Sequence, residues 1–223
     1  MSRVSRCSPH PYQLLVEGKN DMHVIKNLCK KYNLKEDIFT IDAPEEYNEE
    51  GIENLLKRLP LKIKESGRKT LGIVVDADEN ITSRWQSIRD LLTRSGYSDI
   101  PVHPPSNGYI NSKVYANFPP PLIGVWVMPN NQLPGMLEDF VTWLIPPNDQ
   151  LLVIARKTLD DIEDKKLDLY SGPSRCKALI HTWLAWQQEP GRPMGAAITN
   201  KALNYDSAEA LAFVAWLKRL FIE

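Results

Sequence analysis

Residues 71–78 read Leu-Gly-Ile-Val-Val-Asp-Ala-Asp, an apolar, β-branched run that stops on two aspartates. Continuous rather than alternating hydrophobicity is the mark of a strand covered on both faces of a parallel sheet. Asp76 and Asp78 therefore stand at the strand's carboxyl end. If the strand stays extended through residue 78, its two-residue period puts both carboxylates on one face, able to grip a single cation. Upstream, Leu14, Leu15 and Val16 run into Glu17 and Gly18, and Met22, Ile25, Leu28 and Cys29 then recur at helical spacing. That is a strand, a tight turn and a helix.

The same rhythm repeats along the chain. Ile38 to Ile41 is read as a short strand, and Ile52, Leu55, Leu56, Leu59 and Ile63 as an amphipathic helix closed by Gly67. After the 71–75 strand, Trp85, Ile88, Leu91 and Leu92 define a third helix ending near Gly96. Three β-α units predict a doubly wound, mostly parallel α/β sheet with helices on both faces. Residues 100–121 are rich in Pro, Asn and Gly and are expected to cross the surface, with strand character resuming from Ile123 to Met128. A helix follows on Met136, Leu137, Phe140, Val141 and Leu144, stopped by Pro146 and Pro147. The remainder reads as a mainly helical extension over 151–223, after an α/β domain over 1–150. Its clearest helices are Lys177 to Trp186 and Asp206 to Phe221, the latter with Asp206 as N-cap and Glu209 at the capping-box position. Trp183, Trp186 and Trp216 allow this extension to pack on the same core.

Bulk properties narrow the function. With 27 basic and 28 acidic residues, no global attraction to nucleic acid is encoded, so any such contact is local or metal-mediated. Cys7, Cys29 and Cys176 are isolated thiols, which argues against a disulfide framework or structural zinc and for a reducing cytoplasm. No apolar run reaches signal-peptide or membrane-spanning length.

In an open parallel sheet, ligands bind beyond the carboxyl ends of the strands. Glu17, Asp76 and Asp78 are all expected there. Two carboxylates about 4 Å apart repel by roughly 4 kcal/mol at the effective dielectric of protein sites. Such a cluster needs a proton, a basic partner or a metal. Oxygen ligands without His or Cys select Mg²⁺, Mn²⁺ or Ca²⁺ over zinc, and Mg²⁺ held by a few carboxylates keeps waters and takes phosphates. Taken singly, Glu17 also reads as a solvated strand-end acid, and Asp76 or Asp78 as turn residues. Asp21, four residues after Glu17, is read either as a cap of the first helix or as a further site residue.

Val16-Glu17-Gly18-Lys19-Asn20-Asp21 resembles the glutamate motif of TOPRIM domains, and Val75-Asp76-Ala77-Asp78 their DxD motif, in the same order and at a similar separation. That resemblance covers roughly the first 140 residues. It implies Mg²⁺-dependent making or breaking of phosphodiester bonds, as in topoisomerases, primases and OLD-family nucleases. Glu17 would be a general acid/base or metal ligand, and Asp76 and Asp78 would hold Mg²⁺. Residues 127–131 and 135–139, with the late stretch 181–186, resemble a small prokaryotic TOPRIM-related family of uncharacterised function. Where the TOPRIM pattern usually has an aspartate this chain has Asn130, whose neutral amide is a weaker Mg²⁺ ligand. Glu138 and Asp139 are candidates to compensate, or are first-turn acids favoured by the helix dipole.

The leading expectation is a Mg²⁺- or Mn²⁺-dependent nuclease acting on DNA or RNA, with Glu17, Asp76 and Asp78 as catalytic and metal residues. Lys177 and His181, four apart on a helix, face phosphate or a leaving group, or form a solvated face. The P-loop pattern GxxxxGK[ST] is absent. Since OLD-type nucleases work with an ATPase, a separate ATPase subunit is an implied partner. Two alternatives stay open: a non-catalytic TOPRIM-like binding or regulatory module, and a haloacid-dehalogenase-like phosphatase. The second fits less well because Asn80 stands where that family has Thr or Val. Tyr109 and Tyr115 lie in the proline-rich excursion with nothing to mark either as a nucleophile.

Overall fold

The computed structural model describes residues 10–44, 50–65, 67–113, 120–200 and 202–223. The expectations on Cys7, Tyr115 and Pro119 fall outside them. A five-stranded sheet is built from β1 (Tyr12–Leu15), β2 (Thr40–Asp42), β3 (Thr70–Asp76), β4 (Tyr109–Asn111) and β5 (Leu122–Met128). Its order is β2-β1-β3-β5-β4. All pairings are parallel except β4 with β5, which is antiparallel. The crossovers are α1 (Lys19–Lys31), α2 (Ile52–Ile63) and α3 (Ile81–Arg94), and α4 (Leu137–Trp143), α5 (Gln150–Asp164), α6 (Arg175–Ala185), α7 (Met194–Thr199) and α8 (Ala208–Phe221) follow β5.

The two-residue period sorts the strands between two cores. Leu71, Ile73 and Val75 of β3, with Ile123, Val125 and Val127 of β5, pack against Leu55 and Leu59 of α2 and Trp85 and Ile88 of α3. The opposite face presents Leu14, Val74, Trp126 and Met128 to α1, α4, α6 and α8. On that face Gly72 and Gly124 are register partners across β3 and β5. A Cβ on Gly124 would lie 2.5 Å from Leu220 Cδ2, so the glycine pair is what lets the end of α8 rest on the sheet. The C-terminal helices thus share the core of the sheet.

Several elements differ from expectation. β3 ends at Asp76, and Asp78 takes a left-handed backbone with φ 52°. The extended run to residue 78 does not occur, because Asp78 N–H and C=O are captured by Gly135, at 2.9 and 2.7 Å, and pull the chain off the strand line. The N-cap of α8 is Ser207, which accepts from Ala210 N at 3.2 Å, while Asp206 accepts instead from the Tyr32 hydroxyl. The proline-rich excursion contributes β4, whose Asn111 amide donates to Ser98 O and to the Tyr109 hydroxyl. Among the described residues no helix is long and apolar enough to cross a membrane.

Candidate functional site

β1 and β3 lie side by side in parallel, so their carboxyl ends bring two acids together from distant parts of the chain. Glu17, just past β1, accepts a hydrogen bond from Asp76 N at 2.8 Å through Oε1. Asp76, the last residue of β3, accepts in turn from Leu137 N, the first residue of α4, at 2.9 Å. These two bonds tie three chain segments at one rim. Asp21 enters from the first turn of α1 and Glu138 from the first turn of α4, and both are buried, 8% and 6% exposed.

The cleft they share has a volume of about 340 Å³ and is lined by Glu17, Gly18, Asn20, Asp21, Glu50, Gly51, Asp76, Leu137, Glu138 and Lys177. Gly18 has an extended backbone and lies close against Glu50. A Cβ there would lie 3.1 Å from Glu50 Oε2, and Glu50 uses its other oxygen to accept from Lys19 N at 3.1 Å. Glu50 thereby caps the start of α1 from outside the helix.

Burial sets the electrostatics, and the crowding of acids adds to it. Burial pushes the Glu17 carboxyl up to about 7, with Asp78 adding to the rise and the Asp76 N–H, Arg84 and Lys177 opposing it. Asp21 is raised to about 7, first by burial and then by Glu17 and Glu138. Asp76 is raised well above the usual carboxylate range by burial and by Asp21, Glu17, Glu138 and Asp78. Glu138 is raised by burial, against the pull of Lys177 and His181. Ionising the whole cluster would place more negative charge there than Lys177 and Arg84 can offset.

The expected site residues divide between two places. Glu17, Asp76, Asp21 and Glu138 meet in the cleft, and Lys177, exposed on α6, forms part of its wall with His181 one turn further on. Asp78 is exposed and ion-paired with Arg84 of α3. Asp78 and Asp139 line an adjoining groove of about 630 Å³ with Arg156, Arg175 and Cys176. Asp139 also accepts from Met136 N at 2.9 Å, which fixes the entry to α4. Asn130 accepts from Gln132 N and Leu133 N at 3.1 and 3.0 Å, so its amide oxygen serves its own loop. The sequence reading missed Arg84 and Glu50. For Glu50, the Glu-Gly step before α2, echoing Glu17-Gly18 before α1, was the available signal; Arg84 carries none.

Donor chemistry suits a hard divalent cation: the cleft offers carboxylate oxygens with no His or Cys among its lining. Among the described residues no group of three or more His, Cys, Asp or Glu side chains is already drawn together to hold an ion. The acids sit around the cleft, with Glu17 Oε1 and Asp76 Oδ1 committed to backbone N–H groups.

This crowding has a measurable consequence. Glu17 and Asp21 have folded-state values near 7, above their ordinary 4.5 and 3.8, so the folded chain keeps protons that the unfolded chain has released. Their contribution to stability is complete at low pH and is lost as pH rises toward 7. In the presence of a chelator the melting temperature should fall between about pH 5 and about pH 8. A melting temperature that holds level or rises over that range would contradict this.

No curated protein and no solved structure matches this chain. One family model does, over residues 11–222, and its description is "Protein of unknown function (DUF3226)". The match takes in every strand and helix of the fold, both the rim that carries the acids and the C-terminal helices, and the chain belongs to the DUF3226 family.

Proposed function

We propose that this chain is a TOPRIM-like, Mg²⁺-dependent nuclease, acting in the cytoplasm on DNA or RNA. The observation that carries the reading is the convergence of Glu17, Asp21, Asp76 and Glu138 at the carboxyl rim of a parallel sheet, with Lys177 on the same wall. Asp76 and Glu17, with Asp21 or Glu138, are the residues that would hold the ion, and Asp78, one of whose oxygens is taken by Arg84, would be a further ligand. A hard divalent cation bound there supplies neutralisation of charge on the scissile phosphate and acidifies a bound water.

The chain's own groups do the rest. Glu17 Oε1 is held by Asp76 N, which leaves Oε2 to ligate the metal or to move a proton. Lys177, on the wall of the cleft, would bind a phosphate oxygen through its ammonium. Purified protein should cleave DNA or RNA with Mg²⁺ or Mn²⁺ and not with a chelator. Absence of cleavage on single- and double-stranded forms of both polymers would count against the reading. Lys177→Ala should fold normally, since Lys177 is exposed. It should weaken substrate binding about tenfold and lower the salt slope by about one. Unchanged binding would remove Lys177 from the substrate path. A separate ATPase subunit is the proposed partner, and its absence from native co-purification would argue against it.

One observation favours a non-catalytic binding module instead. Arg84, 14% exposed at its side chain, neutralises the second aspartate of the DxD pair. Nucleic-acid binding without Mg²⁺ binding, measured by calorimetry, would select that reading.

A further inference from the structure

A second cavity opens beside the C-terminal half of α1, away from the acids at its first turn. Its volume of about 440 Å³ falls in the range of small-molecule pockets, roughly 300–1,000 Å³. Cys29, Leu34 and Phe39 form its apolar floor, with Met22 and Ile41 at the sides. Phe39 also stacks on Phe221 of α8, ring centroids 4.2 Å apart.

The rim carries Lys26, Lys30 and Lys35 against a single acid, Glu36. Glu36 is taken by Lys26 at 2.6 Å, and among the described residues Lys30 and Lys35 make no ion pair. Complementarity to the helix dipole accounts for Lys30 in the last turn of α1. It does not account for Lys35, which lies beyond the helix. An apolar floor under a rim that carries three lysines to one glutamate matches a ligand with an apolar body and one anionic end.

We propose that this cavity binds a small free amphipathic carboxylate, its chain on Cys29, Leu34 and Phe39 and its carboxylate between Lys30 and Lys35. The site is independent of the nuclease reading.

The test is titration of the full-length protein with octanoate, followed by backbone amide chemical shifts and by calorimetry. Saturable one-to-one binding is expected, with the largest shifts at Cys29, Leu34, Phe39 and Thr40. Lys30→Glu combined with Lys35→Glu should weaken it by about tenfold, whereas reversal at the exposed Lys157 and Lys165 should not. No saturable binding, shifts centred elsewhere, or equal affinity in the two double variants would each overturn the proposal.

Discussion

Asp76→Asn should abolish Mg²⁺-dependent cleavage, by about a thousandfold or more, while leaving the fold intact and at least as stable as the parent near neutral pH. Both halves come from the same geometry. The asparagine amide oxygen can still accept from Leu137 N, so the tie between β3 and α4 survives. What disappears is a carboxyl group whose ionisation is opposed by burial and by Asp21, Glu17, Glu138 and Asp78. Removing it relieves repulsion in the folded state and takes away the oxygen charge on which a hard cation depends. Glu17→Gln should behave in the same way, because its amide oxygen can still accept from Asp76 N. Enhanced stability with lost activity is a signature that a merely structural carboxylate would not give. Retained cleavage in both variants would end the catalytic assignment, and a marked loss of stability would show that the acids serve folding.

The second large effect concerns the C-terminal helices. Trp216 of α8 is 0% exposed, packs with ring centroids 5.7 Å from Trp126 of β5 and 5.8 Å from Phe213, and donates from Nε1 to Tyr109 O at 3.2 Å. Trp216→Ala removes the ring from between sheet and helix together with its hydrogen bond to the Tyr109 carbonyl, and should cost about 3–5 kcal/mol. Against a total of roughly 5–15 kcal/mol that is a large fraction. Chemical denaturation should show one cooperative transition at a much lower midpoint. A separate unfolding step for the C-terminal helices, with the sheet unaffected, would contradict a shared core.

The parts of the fold that could be read in the chain are those where local pattern and tertiary role agree. Leu71 to Val75 is apolar at every position because both faces of β3 are covered, and the acids after β1 and β3 follow from parallel pairing. Gly72 and Gly124 are explained only by packing, since a Cβ on either would meet Leu220 and, at Gly72, Leu14 and Phe221 as well. β4, three residues long, is too short for any periodicity to register. The turn at Asp78 was locally encoded in part, since Asp tolerates a left-handed backbone and Asn80 caps α3 by accepting from Ser83 N at 2.9 Å. The capture of Asp78 by Gly135 was not, because it depends on a loop that follows β5. Arg84 and Glu50 were missed for the same reason: each reaches the acids only through the packing of α3 or α2 beside the rim.

Crystals grown with Mn²⁺ give the most direct test of the central claim. Anomalous difference density should place an ion in the cleft, about 2.1 Å from carboxylate oxygens of Asp76 and of Glu17 or its neighbours Asp21 and Glu138. A cleft without such a peak while Mn²⁺ binds elsewhere on the molecule, with Glu17 still bonded to Asp76 N, would contradict the assignment of these acids as a metal centre.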